Sequence, residues 1–257
     1  MKFSACIEWL FSDATPDMAE RIRLAKAAGL DAVEFWKWST KDIDAIAAAL
    51  DETGIALSGF VAEPMIALTD PENRNAFLEG LADSARLAQR LGATVLIAQA
   101  GNDLDGRSRQ EQRAALTGTL KAAADVLAGS GVRLGVEPLN TLIDHKGYYL
   151  ASTVEGLDIV DDVGRPEIGI VYDLYHSYVM GEDIAEVLAG RVHHVVHAHV
   201  ADHPGRQDPG TGEIDLGRRL KWLFDQGYAG RVGLEYRPSG STADALPGVI
   251  ARLTSAS

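Results

Sequence analysis

The sequence contains very little cysteine and no long apolar segment. Cys6 is the only cysteine in 257 residues, so an internal disulfide framework is excluded. It lies in the first apolar run, where a buried, unreactive thiol is expected. No apolar run approaches the ~20 residues of a membrane-spanning helix, and Glu8 precedes any stretch that could serve as a signal-peptide core. We therefore expect a cytoplasmic protein with no membrane partner.

Positive charge is also scarce, with 24 Lys and Arg against 37 Asp and Glu, and a formal net charge of −13 at pH 7. A surface of this sign repels nucleic acids and anionic membranes, so neither is expected as a partner. A small anionic substrate is still compatible with this charge, because one local Arg or a bound metal overrides the overall field.

Short apolar runs alternate with longer amphipathic segments, about every 32 residues. The predicted strands are Phe3–Ile7, Asp31–Phe35, Ile55–Phe60, Thr94–Ala98, Val132–Glu137, Ile168–Asp173, Val192–Val200 and Val232–Tyr236. The predicted helices run from Thr15 and Pro16 to Gly29, then over Lys41–Thr53, Asp70–Gly92, Ser108–Leu127, Ser152–Gly164, Asp183–Leu188, Asp215–Gly227 and Thr242–Leu253. Capping residues and the 3.6-residue spacing of apolar positions predict these helices.

The strands are apolar on both faces, which is typical of buried parallel strands. Eight strand–helix units fill residues 1–257 without a linker, so the sequence predicts an α/β fold with one domain, a single (β/α)8 TIM barrel. The alternative is an open, doubly wound sheet. It is disfavoured because no Gly-x-Gly-x-x-Gly turn follows the first strand.

Four residues with metal-binding side chains end consecutive predicted strands: Glu137, Asp173, His199 and Glu235. The carboxyl ends of barrel strands converge on one mouth, so these side chains should meet there. Three carboxylates and an imidazole suit a divalent cation of the Mg, Mn or Co type, and their repulsion would be costly without one. Any one of them alone could be a plain rim residue; the joint pattern predicts the site. His197 faces the same way, but His199 is nearer the strand tip.

Other residues near the strand ends have weaker signals. His176, three residues after Asp173, could contact substrate. Arg206, in the long loop after strand seven, could bind a carboxylate, or it could be an ordinary surface or salt-bridging arginine. Glu63 and Gln99 could bind substrate hydroxyls or be solvated.

Strand-end aromatic residues and one buried acid remain. Trp9, Trp36 and Phe60 could wall the pocket or simply pack. Glu34 lies within strand two rather than after it, so a structural role is expected.

Four segments resemble the hydroxypyruvate isomerase family of the xylose isomerase-like barrels, which has ketose 3-epimerases as cousins. They are Val136-Glu137-Pro138-Leu139-Asn140, Tyr172-Asp173-Leu174-Tyr175-His176, Leu234-Glu235-Tyr236 and the loop Ala201–Ile214. The resemblance covers nearly the whole chain. The Pro-Gly-Arg and Pro-Gly-Thr-Gly-Glu-Ile elements of the loop are specific to the isomerase branch, whereas the four metal-type residues are shared across the superfamily.

The resemblance implies an intramolecular oxidoreductase with a divalent metal, most simply Mg or Mn. It implies that Glu137 and Glu235 are both the acid/base pair and metal ligands. Asp173 and His199 match the other two ligands, and His176 and Arg206 match substrate-binding positions. The implied reaction moves a proton through an enediolate, from hydroxypyruvate to tartronate semialdehyde or on a related 2-oxo sugar acid.

One position departs from the family pattern and leaves the substrate open. Bacterial hydroxypyruvate isomerases have Gln where this chain has His199, and His is the choice of the sugar epimerases. The alternatives are a ketose 3-epimerase, an inosose isomerase or a non-catalytic sugar-acid-binding barrel. A metal-dependent apurinic endonuclease is disfavoured by the negative charge. Enzymes of this type often form homo-oligomers, which gives an expectation for this chain too.

Overall fold

The computed structural model describes residues 1–255, which form a closed barrel of parallel strands in chain order. The strands are Phe3–Cys6 (β1), Ala32–Phe35 (β2), Ala56–Val61 (β3), Val95–Ala98 (β4), Arg133–Val136 (β5), Ile168–Asp173 (β6), Val195–Val200 (β7) and Val232–Leu234 (β8). Strand β8 pairs with β1, with Phe3 beside Val232, and closes the barrel. The predicted TIM barrel is confirmed.

Helices connect the strands around the outside of the barrel. They are Met18–Ala27 (α1), Ile43–Thr53 (α2), Arg74–Leu91 (α3), Arg109–Leu127 (α4), Thr153–Val163 (α5), Leu174–Val179 (α6), Ile184–Val187 (α7), Leu216–Asp225 (α8) and Thr242–Thr254 (α9). Within residues 1–255, none of the helices has the length and apolar character needed to cross a membrane.

Several predicted boundaries differ from the structure, among them the starts of α1 and β7. Helix α1 begins at Met18 rather than beside Thr15 and Pro16, because the side chain of Asp17 caps it by accepting from the Ala19 amide. The Thr15 hydroxyl accepts from the Asp17 amide and forms a turn before the cap. The seventh apolar run also starts differently, since Val192–His194 is a 3-10 turn and the strand begins at Val195.

The barrel interior contains an apolar layer and a polar layer. The apolar layer consists of Val61, Val95, Ile97, Val171 and Val196. Gly135 on β5 makes room for it, since a Cβ there would lie 2.6 Å from Val196 and 2.7 Å from Val171. The polar layer consists of Ser4, Glu34, Ser58, His197 and His199, all buried. The polar layer adjoins the mouth and connects the interior of the barrel to the candidate site.

Candidate active site

The structure brings the four predicted metal-type residues together at the mouth. Glu137 follows β5, Asp173 ends β6, His199 lies in β7 and Glu235 follows β8. All four are buried, with at most 6 % exposure, and one ligand atom from each lies within 4.8 Å of the others. The amides of Glu137 and Glu235 still donate to carbonyls of the neighbouring strands, at 3.0 and 3.2 Å. The strand ladder therefore fixes the positions of both residues.

The carboxylates and the imidazole interact closely. His199 Nδ1 lies 3.3 Å from Glu137 Oε1 and 3.5 Å from Glu235 Oε2. Burial raises the pKa of Glu137 to about 7; His199 opposes this rise, and the carboxylates of Glu235 and Asp173 add to it. A carboxyl group with such a pKa is suited to take and give a proton near neutral pH.

His199 is protonated more readily than an ordinary histidine. Burial alone would lower the pKa of His199, but the surrounding carboxylates of Glu235, Glu34 and Glu137 outweigh burial and raise it well above its usual value. Both His199 and Glu137 therefore hold protons that a bound cation would displace.

Arg206 reaches into the same cluster. Its backbone is left-handed, with φ of 54°, and its Nη2 donates to Asp173 Oδ2 at 3.2 Å and to Glu235 Oε2. The guanidinium lies 5.0 Å from the ring centroid of Trp9, and its Nε is buried without a hydrogen-bond partner among residues 1–255. Arg206 thus offsets part of the negative charge of Asp173 and Glu235.

The loop that carries Arg206 is organised by Asp202. This buried carboxylate accepts from the backbone amides of Gly210, Gly212, Ile214 and His203, at 2.7 to 3.0 Å. Gly212 cannot be replaced without movement, because a Cβ would lie 2.1 Å from the carbonyl oxygen of His203. The loop is rich in glycine because it folds tightly around the carboxylate of Asp202. Asp202 was not identified in the sequence analysis.

His176 forms part of the wall beside Asp173. Asn140 Oδ1 accepts from two backbone amides, which orients the side-chain amide so that its Nδ2 points at His176 Nδ1, 2.6 Å away. Because an amide nitrogen donates, His176 Nδ1 accepts and the proton lies on Nε2, 3.5 Å from Asp173 Oδ2. Burial lowers the pKa of His176 well below its usual value, so the ring is neutral.

The cluster opens into a cavity of about 500 Å³, which is large enough for a small organic acid. The opposite wall is largely apolar and includes Trp9, Trp36, Val61, Ile97 and Met65. Gln99, Lys37, Lys41 and Glu8 also line the cavity. Lys41 is paired with Glu8.

Two of the weaker candidates lie away from the cavity. Phe60 is fully buried and stacks on Phe35 at 5.3 Å, which is the packing alternative. The Glu63 carboxylate accepts from the amide and hydroxyl of Ser39, at 2.8 and 3.0 Å.

Trp36 has a contact that strand-end patterns could not show. Its Nε1 donates to Glu235 Oε1 at 2.7 Å, so a residue after β2 holds a carboxylate after β8. In the sequence, the only indication of this contact was a tryptophan at a strand end, and simple packing explained that residue equally well.

The donor set fits a divalent cation. Three carboxylates and an imidazole nitrogen, buried and mutually repelling, are the groups that such an ion stabilises. The four residues could therefore hold a metal.

The fold agrees with the relatives of this chain. Residues 22–253 match the family model of the xylose isomerase-like TIM barrel. A putative hydroxypyruvate isomerase of Homo sapiens is 32% identical over 96% of this chain and 93% of its own length. The hydroxypyruvate isomerase of Escherichia coli (strain K12) is 29% identical over 96% of this chain and 97% of its own. The crystal structure of AP endonuclease, family 2 from Brucella melitensis superposes with a TM-score of 0.89, at 28% identity, covering 97% of this chain and 98% of that one.

Proposed function

The chain belongs to the xylose isomerase-like TIM-barrel family, and we propose that it is a metal-dependent isomerase of a small hydroxy-keto acid, with hydroxypyruvate or a related 2-oxo sugar acid as substrate. One observation carries the proposal. Two buried glutamates, Glu137 and Glu235, line a cavity with the imidazole of His199, and the carboxylate of Asp173 lies in the same cluster.

Glu137 and Glu235 form the acid/base pair. Hydroxypyruvate and tartronate semialdehyde are isomers, so a proton leaves C3, returns at C2, and a hydroxyl proton moves between the two oxygens. One glutamate removes the carbon-bound proton and the other returns it at the adjacent carbon. Glu137, Asp173, His199 and Glu235 would hold Mg²⁺ or Mn²⁺, which would supply positive charge to the developing enediolate when bound.

Arg206 and His176 are the proposed substrate-binding residues. Arg206 lines the cavity and uses Nη2 for Asp173 and Glu235, which leaves the rest of its guanidinium for a substrate carboxylate. The neutral ring of His176 lines the cavity beside Asp173 and can contact a substrate oxygen without adding charge.

Proton exchange in heavy water tests the proposal. The protein with Mg²⁺ is incubated with hydroxypyruvate, 2-oxo-tetronate, fructose, psicose and an inosose, and proton NMR follows loss of each carbon-bound proton signal. We expect exchange in hydroxypyruvate or 2-oxo-tetronate that a chelator abolishes and that Glu137→Gln lacks. Exchange unaffected by the chelator would contradict the metal, and absence of exchange throughout would contradict the isomerase.

Two alternatives are separated by related experiments. His199 in the cluster favours a ketose 3-epimerase or inosose isomerase, which would exchange only the psicose, fructose or inosose protons. The Brucella melitensis relative is named an AP endonuclease, so DNA cleavage is another alternative. The net charge of −13 argues against it, because a negative surface repels DNA. Cleavage of an abasic-site duplex with no proton exchange in any sugar or acid would favour that reading. A barrel that binds a sugar acid without turnover would show binding and no exchange.

A further inference from the structure

Glu34 lies in the barrel interior directly behind His199. It is 3% exposed, and its Oε2 receives three contacts, from the hydroxyl of Ser4 at 2.7 Å, the hydroxyl of Ser58 at 3.0 Å and His197 Nε2 at 2.9 Å. These partners saturate one oxygen of the carboxylate. They also fix the plane of the carboxylate, so that the second oxygen has a defined direction.

The second oxygen, Oε1, faces the metal-type cluster. It lies 3.0 Å from His199 Nε2. Among residues 1–255 neither atom has another polar partner, and the contact between them is close but not aligned as a regular hydrogen bond. The opposite ring nitrogen of His199, Nδ1, faces Glu137 and Glu235. One imidazole therefore joins the interior carboxylate to the mouth.

The neighbouring strand is shaped to allow this contact. Gly233 on β8 stands beside the pair, and a Cβ there would lie 2.4 Å from Glu34 Oε1 and 2.5 Å from His199 Cδ2. Any side chain would separate the two residues or move β8. The glycine, the two serines and the glutamate come from β8, β1, β3 and β2, so four strands cooperate in one arrangement.

We propose that Glu34 is a positioning residue, which keeps the His199 proton on Nε2 and presents Nδ1 to the mouth as a metal ligand. A histidine that binds a metal through one nitrogen commonly donates from the other to a carboxylate, and this partner sets ring orientation and tautomer. The inference rests on the proposed metal site. It adds a residue from β2, which the strand-end pattern of β5 to β8 does not include.

The substitution Glu34→Gln tests this role with almost no change in volume. Ser4, Ser58 and His197 all meet Oε2, so the amide oxygen of Gln stays with them and the amide nitrogen faces His199. An amide nitrogen donates, so His199 Nε2 must accept and the proton moves to Nδ1, where it blocks the metal. We expect Mg²⁺ and Zn²⁺ affinity, measured by calorimetric titration, to fall roughly 10- to 100-fold.

Ser58→Ala is the matched control. It removes a hydroxyl that lies 3.0 Å from both Glu34 Oε2 and the Val33 carbonyl oxygen, but leaves Oε1 opposite His199. We expect metal affinity within about twofold of wild type, with only a modest stability loss of the kind one hydrogen bond contributes. If Glu34→Gln and Ser58→Ala bind metal equally well, Glu34 has a packing role only and the proposal is wrong.

A spectroscopic measurement on the unaltered protein covers the case in which Glu34→Gln does not fold. In the Zn²⁺-loaded wild type, nitrogen-15 NMR of the imidazoles, assigned with His199→Asn, should show a proton on Nε2 of His199 and none on Nδ1. A proton on Nδ1, or metal bound through Nε2, would overturn the proposal. If wild type binds neither metal, the proposed metal site falls together with the role of Glu34. If wild type binds metal and only the tautomer or the variant disagrees, the metal site stands and Glu34 alone is wrong.

Discussion

The two halves of the barrel mouth differ sharply. Strands β5 to β8 end in Glu137, Asp173, His199 and Glu235, which are buried and ionisable. Strands β1 to β4 present an apolar wall of Trp9, Trp36, Val61 and Ile97. In the proposed function, one half carries proton transfer and metal binding, and the other shapes the cavity.

The comparison also shows where the halves depend on each other. Trp36, after β2, donates to Glu235, and Glu34, within β2, faces His199. Groups on the apolar side therefore orient groups on the charged side. A variant in the charged half should remove chemistry, and a variant in the other half should weaken it only through one of these contacts.

The largest expected effect comes from Glu137→Gln and Glu235→Gln. Each removes a proton-transfer group and a negative metal donor, so kcat should fall about 10³-fold or more while circular dichroism stays native. The matched control across the mouth is Glu63→Gln, whose carboxylate is held by Ser39 away from the cavity, and whose kcat should stay near wild type. Near-native rates in both variants of the pair would refute the acid/base assignment.

Arg206→Met should have the next largest effect, on stability without metal. It leaves Asp173 and Glu235 without their buried cation, which typically costs about 3–5 kcal/mol. Mg²⁺ should restore part of this loss, because it supplies positive charge to the same carboxylates. Urea unfolding with and without Mg²⁺ measures both quantities. Arg237→Met is the control, since Arg237 stacks on Trp9 and forms no ion pair among residues 1–255; an equal loss in the two variants would disprove the role of Arg206.

Metal affinity should depend on pH in a defined direction. The pKa values of Glu137, about 7, and of His199 are both raised, so the metal-free protein holds protons that binding must release. Affinity should therefore rise with pH and fall as pH drops below about 7, by about tenfold per unit for each proton released. Calorimetry in buffers of different ionisation enthalpy counts these protons. A metal affinity that stays constant between about pH 5.5 and 8 would show that no such proton is released.

The smallest effect tests the link between the halves. Trp36→Phe keeps the apolar wall but removes the donor to Glu235 Oε1, so kcat/KM should fall about tenfold, the lower end of what one hydrogen bond to a charged group contributes. Trp38→Phe is matched to it, because Trp38 donates to Ser84 away from the cavity and should leave kcat/KM unchanged. Equal behaviour of the two variants would mean that the tryptophan contact does not matter for turnover.

The barrel and its cluster could be predicted because both follow from chain order. Parallel strands that alternate with helices converge at their carboxyl ends. The order of a strand in the chain is therefore enough to place the side chain that follows it around the mouth. That is why Glu137, Asp173, His199 and Glu235 were found without knowing any side-chain contact. The strand ladder then brings them within a few ångströms.

The contacts missed by the sequence analysis depend on side-chain direction and loop shape. Arg206 was expected to bind substrate or to be an ordinary surface or salt-bridging arginine. Its ion pairs with Asp173 and Glu235 depend on a left-handed residue in an irregular loop, for which no periodicity exists. Glu34 was expected to have a structural role, and its contact with His199 requires the strand register and the space left by Gly233. Neither is encoded in local spacing.

Asp202 has a consequence for how new specificities could be engineered on this barrel. Because one carboxylate gathers the amides of Gly210, Gly212 and Ile214, the segment between β7 and α8 is tied to the barrel at its base. We therefore expect this segment to accept substitutions between its anchors. A library that keeps Asp202 and the two glycines, and varies the residues around Arg206, would sample new substrates while leaving the strands and their metal-type cluster untouched.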